Sequence, residues 1–199
     1  VAVVGASAIK CVKAKGRVAE LKEKCRTERL SGAVGIGHTR WATHGEPSER
    51  NAHPQTDSTG DIFVAHNGII ENYQLLKEEL QKKGHRFVSK TDTEVIPHLI
   101  EEYTKKAKAS KGRSPDASKE ASREKDFVAA VRLALKELKG AFGIVVLSRK
   151  HPGMLIAARF GSPLILGIGK GENVIASDAT AILPLTNSVI YLNDGDIVT

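Results

Sequence analysis

Cysteine is scarce in this chain: two among 199 residues, Cys11 and Cys25. They form no CxxC pair and no Cys/His zinc spacing, so a disulfide scaffold and a finger-type zinc site are excluded and a reducing, cytosolic setting is the default. Long apolar runs are also absent. None approaches the length of a membrane span, and no cleavable signal pattern opens the chain. Aromatic residues make up only 5% and do not interleave with Lys and Arg along one face. The net charge of +7 therefore does not read as a nucleic-acid footprint. Residues 105–126 hold eight Lys/Arg and four Asp/Glu, a surplus of four, and the remaining three charges are spread thinly. A charge run of this kind is solvated surface.

What remains is 41% apolar and 27% charged, the balance of an ordinary globular protein long enough to bury a core. Strands are expected at 1–4, 7–13, 33–36 and 62–65. Helices are expected at 17–29, with Val18, Leu21 and Cys25 on its apolar side, and at 71–83, with Leu75, Leu76 and Leu80 together and Gly84 as stop. A third, 91–106, opens on the capping-box spacing Thr91-Asp92-Thr93-Glu94 and buries Val95, Ile96, Leu99, Ile100 and Tyr103. Residues 107–125 read as a mobile loop or weak helix extension, followed by a helix at 126–139. Short apolar runs between turns at 141–147, 154–158, 163–168, 174–177 and 189–192 indicate an antiparallel sheet, with one helical turn in 178–183. Two sheets face to face, with helices outside, are the natural packing.

The stretch GHTRWATHGEPSERNAHP, residues 37–54, follows an apolar strand and is dense in specialised groups. Arg40 can grip a carboxylate with two parallel hydrogen bonds. Trp41 can act as a flat cover, Thr43 and His44 can bond a polar ligand, and Gly45 lets backbone approach closely. A metal is not expected. His38, His44 and His53 are six and nine residues apart, with His66 further on, and this matches no recognised ligand spacing. In VAHNGIIEN, Asn67-Gly68 reads either as a hairpin turn or as an amide beside a backbone N–H, two donors able to converge on one oxyanion. The run into a helix favours the second. Asp92 serves either the helix dipole or a substrate ammonium, and its position alone does not choose. FGSPLILGIG lacks the phosphate-loop ending and reads as turns and a strand start.

HTRWATHGEP, NAHP, HNGIIEN, TDTEVIPHLI, AARFGSPLILGIGKGENVIASD and YLNDGDIV, in this order, resemble the glutaminase domain of class II glutamine amidotransferases, of the type that serves hexosamine synthesis. The resemblance covers nearly the whole chain, except the Lys-rich insert at 107–125. It implies a single domain over 1–199 with an α+β, N-terminal-nucleophile hydrolase fold, a four-layer αββα sandwich of two antiparallel sheets whose first strand and helix are absent from this chain. It implies that Arg40 holds the α-carboxylate of L-glutamine and Asp92 its ammonium. Thr43, His44 and His53 line the same pocket, Trp41 lies at its mouth, and Asn67 and Gly68 form the oxyanion hole. The nucleophile would be an N-terminal cysteine with its own α-amino group. Neither Cys11 nor Cys25 has a visible base, so a chain without that cysteine is expected to be inactive. Ammonia would pass to sugar-isomerase domains and fructose 6-phosphate, giving glucosamine 6-phosphate in a cytoplasmic homo-oligomer, with no metal or organic cofactor, no nucleic acid and no membrane. A glutamine-binding or interaction module without turnover, and another class II amidotransferase, remain open beside this reading.

Overall fold

A computed structural model describes residues 1–5, 8–111 and 120–199. Its centre is one antiparallel sheet made of β4 (Gln55–Thr56), β5 (Ile62–Ile70), β6 (Gly140–Ser148), β7 (His151–Phe160) and β11 (Ile197–Val198), in the order β11-β7-β6-β5-β4. Side chains alternate faces along a strand, and here the alternation decides what each layer meets. Ile62, Val64, Ile144, Val146, Ile156 and Ala158 enter a core shared with helices. Phe63, Ala65 and Leu147 enter a second core, and Ala157 a third, with Val145 packed against both.

The helices on the first face are α2 (Tyr73–Lys82), α3 (Val95–Lys111) and α4 (Glu120–Lys136). Leu76 and Leu80, then Val95, Ile96, Leu99 and Ile100, then Phe127, Val131 and Ala134 supply their buried stripes. Each fully buried aliphatic side chain contributes about 1.5–3 kcal/mol. The other face carries β1 (Ala2–Val4), β2 (Ile9–Cys11) and β3 (Gly35–Ile36) as one sheet, and β8 (Ile165–Ile168), β9 (Asn173–Ala176) and β10 (Val189–Tyr191) as another. The second layer of the expected sandwich is thus divided into two three-stranded sheets. Ala2 and Ile36 anchor one half, Leu164 and Leu192 the other.

Several expectations need correction. Leu75 does not join Leu76 and Leu80; it is 57% exposed. The buried positions of α2 are 76 and 80, with Tyr73 packed beside them, a spacing of three and four that leaves 75 outside. Helix α1 (Val18–Thr27) forms, but it has no buried residue and Val18 is 60% exposed. Helix α3 begins at Val95, four residues late, because the Glu94 carboxylate does not return to the backbone of Thr91. It accepts instead from Val88 N, Ser89 N and Ser89 Oγ at 2.8, 2.7 and 2.6 Å. Pro97 is then third in the helix, where its missing N–H has no helical acceptor to lose. Helix α4 starts at Glu120, so 107–111 and 120–125 of the segment expected as a mobile loop or weak helix extension are helical, and the rest of that segment lies outside the described residues. Part of the expected 7–13 strand, Ser7, also lies outside them.

Candidate functional site at the end of the central strand

The Asn-Gly pair is not a hairpin turn. Strand β5 runs on to Ile70, paired with β6 from Ile62↔Ser148 to Ile70↔Gly140. Gly68 sits inside it at φ +122, and a Cβ there would be driven into the carbonyl oxygen of Ala141. Only glycine is free of both problems. Asn67 is half-buried and Gly68 exposed, so the pair faces outward at a strand otherwise buried from Ile62 to His66. Asn67 Oδ1 lies 2.7 Å from His38 Nε2. A carbonyl oxygen only accepts, so this nitrogen of His38 carries the proton, and the Asn67 NH2 group is left turned away from His38.

The loop after β3 closes on itself. Arg40 Nη2 donates to the carbonyl of His44, and to that of Gly45 at 2.9 Å. Gly45 has φ +75, and a side chain there would meet Asn51 Nδ2 at 2.8 Å and Lys90 Cβ at 2.9 Å. Asn51 fastens this loop to the segment before α3: its Nδ2 donates to Glu46 O, and its Oδ1 accepts from Lys90 N, both at 2.9 Å. Sequence reasoning missed Asn51, whose signal was only its place at the head of the NAHP motif.

Asp92 is buried and works across space rather than on its own helix. Its Oδ2 accepts from Ile70 N at 2.9 Å, and its Oδ1 stands 3.9 Å from His44 Nδ1. The dipole explanation for Asp92 is therefore insufficient. Burial holds the Arg40 guanidinium below its ordinary pKa, and the Asp92 charge offsets part of that. Three of the expected residues are thus brought to one region: Arg40 and His44 by the loop, Asp92 by its bond to the end of β5.

Thr93 is a further residue the sequence did not single out. Its hydroxyl lies 2.9 Å from His66 Nδ1 and 3.1 Å from His53 Nε2. One hydroxyl donates once, so one ring accepts from it and the other donates to it. The His53 ring also packs against His38, tilted by 38° with ring centres 4.4 Å apart. Burial, reinforced by neighbouring His38 and His66, pushes His53 down to about 2. Burial lowers His66 to about 4, with Asp92 opposing. Burial also lowers His38. These three rings are neutral hydrogen-bonding groups at neutral pH.

A cleft of about 320 Å³ opens beside them, lined among others by His38, Thr39, Arg40, Trp41 and His53. Asn67, Gly68, Thr43, His44 and Asp92 lie outside its lining. Trp41 is 89% exposed at its rim. Neither cysteine lines it, and burial raises the Cys11 thiol. Among the described residues no helix is long and apolar enough to cross a membrane.

Comparison with solved structures defines the class. The Bacillus subtilis glutamine phosphoribosylpyrophosphate amidotransferase complexed with ADP and GMP matches 96% of this chain at TM-score 0.69 and 25% identity, over 37% of its own length. A structure described as the allosteric regulatory enzyme of purine biosynthesis matches at TM-score 0.70, also at 25% identity and over the same shares. The fold is that of the N-terminal-nucleophile hydrolases. Residues 26–112 match the family model of the glutamine amidotransferase domain. It is 47% identical over 190 residues to the glutamine–fructose-6-phosphate aminotransferase (isomerizing) of Methanothermobacter thermautotrophicus, covering 96% of this chain and 29% of that protein. It is 49% identical over 185 residues to the enzyme of the same name from Aquifex aeolicus, covering 93% and 28%. The chain spans less than a third of the length of these relatives.

Proposed function

We propose that this domain binds free L-glutamine and, within a longer protein, hydrolyses its side-chain amide and sends the ammonia to fructose 6-phosphate, yielding glucosamine 6-phosphate. The observation that carries the reading is the hydrogen bond from Ile70 N to Asp92 Oδ2 at 2.9 Å. It ties the buried anion to the strand that holds Asn67 and Gly68, while His44 brings the Arg40 loop to the same carboxylate. Arg40 grips the α-carboxylate and Asp92 the α-ammonium, each charged contact contributing about 1.5–3 kcal/mol. Together they select a zwitterion over a simple amide. His53 lines the cleft and Trp41 stands at its rim, while Thr43 and His44 sit on the adjoining Arg40 loop, outside the cleft lining, and reach the amino acid from that side.

Asn67 Nδ2 and the Gly68 N–H hold the oxyanion that forms when a thiolate attacks the amide carbon. Collapse of that intermediate expels ammonia and leaves a thioester, which water then opens to glutamate. The attacking thiol is assigned to an N-terminal cysteine rather than to Cys11, whose thiol burial raises, or Cys25. The 199 residues then form one amidotransferase domain whose partner is a sugar-isomerase unit, in a cytoplasmic homo-oligomer.

Calorimetric titration of the full-length protein with L-glutamine tests the reading. Arg40→Gln and Asp92→Asn should each weaken binding by at least tenfold, and an amide without α-groups should not bind. Glutamine affinity unmoved by both variants would sink it. Ammonia release by residues 1–199 alone would overturn the assignment of the thiol.

A further inference from the structure

A second group of histidines and acids lies on the other side of the α3 entrance, away from the cleft. His85 follows Gly84, the residue that ends α2. His98 and Glu101 stand three apart on α3, on one face of that helix. All three are buried, with side-chain exposures of 2%, 1% and 6%. Their ligating atoms converge. His85 Nδ1 is 3.1 Å from His98 Nδ1 and 3.2 Å from Glu101 Oε2, and His98 Nδ1 is 3.6 Å from the same oxygen. In a tetrahedron with bonds of about 2.0–2.1 Å, the zinc–nitrogen distance, neighbouring ligand atoms stand about 3.3 Å apart. The triangle observed has that size.

The surroundings are those a metal-bound imidazole needs. His85 Nε2 donates to Glu102 Oε1 at 2.8 Å, which fixes the proton on that nitrogen and turns the Nδ1 lone pair inward. Glu94 Oε1 lies 3.9 Å from His98 Nε2. Glu101 Oε1 is held by Lys105 at 2.8 Å, and Oε2 faces the centre while also accepting from Ser58 N at 3.4 Å. Ser58 Oγ lies 3.4 Å from His98 Nδ1, beside the triangle. Three carboxylates, Glu94, Glu101 and Glu102, surround two imidazoles, with Lys105 the only ammonium among the described residues in ion-pair contact with them.

We propose that His85, His98 and Glu101 form a structural site for a divalent transition metal, best suited to zinc, with Ser58 or a water as fourth ligand. Two imidazoles and one carboxylate disfavour magnesium and calcium, which take oxygen ligands. The ion joins the end of α2, the first turns of α3 and the turn at Ser58. No cysteine takes part.

The competing arrangement is a doubly protonated His85 donating to both Glu101 and Glu102, with Ser58 donating to His98. Full-length protein produced with zinc and washed with a weak chelator should retain one zinc per chain by elemental analysis. Cobalt-loaded protein should show d–d bands of four-coordinate cobalt without thiolate charge transfer, and magnesium should not compete. Glu101→Gln should lose at least tenfold in zinc affinity. Glu102→Gln, at the edge of the cluster and safer for folding, should lose about 10–100-fold through the outer hydrogen bond. Folded protein without stoichiometric zinc, affinities unchanged in both variants, or nitrogen spectra showing both His85 ring nitrogens protonated in the presence of zinc would each overturn the proposal.

Discussion

Two consecutive residues, Thr93 and Glu94, meet two histidine groups built on opposite principles. Thr93 serves His53 and His66 with a neutral hydroxyl. Glu94 belongs to a set of three carboxylates around His85 and His98. In the first group burial drives the protons off, and the rings are left to orient amides and hydroxyls beside the cleft. In the second the anions make room for positive charge, whether carried by a proton or by a metal. One residue type thus serves hydrogen-bond geometry in one place and charge compensation in the other. The compensating carboxylate, not the histidine, marks which is which.

The largest effect separating the regions should come from Asn67→Ala. If Asn67 is an oxyanion donor as proposed, its loss should lower kcat for glutamine hydrolysis by about 10²–10³-fold. KM should change little, and stability should fall by only about 1 kcal/mol, the worth of the hydrogen bond that Asn67 accepts from His38. Steady-state kinetics of the full-length protein checks this; a rise in KM at unchanged kcat would move Asn67 from the oxyanion to ground-state binding. Next is Glu94→Ala on the other side. It strips the acceptor from Val88 N, Ser89 N and Ser89 Oγ, leaving buried donors unpaired. Loss of about 3 kcal/mol in urea unfolding is expected, from charged hydrogen bonds of about 1.5–3 kcal/mol each. A loss below about 1 kcal/mol, within the range of a single ordinary hydrogen bond, would show that water replaces the carboxylate there.

Much of the scaffold was legible because it rests on local periodicity. The stripe of α3 lies where spacing placed it, and the alternation in β5 to β7 sorts side chains between the two layers. Leu75 escaped because a contiguous Leu-Leu pair cannot say which member faces in. The site was legible mainly through resemblance, since its groups act across the chain. Asp92 reads as a helix-start acid until its bond to Ile70, twenty-two residues away, is known. The Thr91–Glu94 capping box failed for a related reason: the acid found better donors in Val88 and Ser89. Thr93, His66 and Asn51 carried no local mark, because each makes its decisive contact with a partner 27 to 40 residues distant.

Acid should separate the two regions along the pH axis. His53 and His66 have folded values of about 2 and about 4, below the ordinary 6.5. The unfolded chain therefore binds protons that the folded chain refuses. Their contribution is complete above pH 6.5 and declines as pH falls from there towards about 4, by about 1.4 kcal/mol per pH unit for each proton. The depressed carboxyls of Glu94, Glu101 and Glu102 act later: their contribution is lost only as pH falls below their ordinary 4.5 and through their folded values. Urea unfolding across pH 7 to 4 should give a slope that flattens by about one proton in His53→Gln. An unchanged slope would mean that His53 is protonated in the fold.

The smallest effect on stability should come from Trp41→Ala. The ring is 89% exposed, so its removal should alter unfolding by no more than about 0.5 kcal/mol. Its consequence belongs to the cleft, whose rim it forms. If the ring covers bound glutamine and guards the passage of ammonia, the variant should hydrolyse glutamine in excess of the glucosamine 6-phosphate formed. The ratio of glutamate to amino sugar in one reaction mixture measures this directly. A ratio equal to that of the parent protein, with hydrolysis intact, would assign Trp41 no part in retaining ammonia. The wide exposure of the ring would then need a partner surface to account for it.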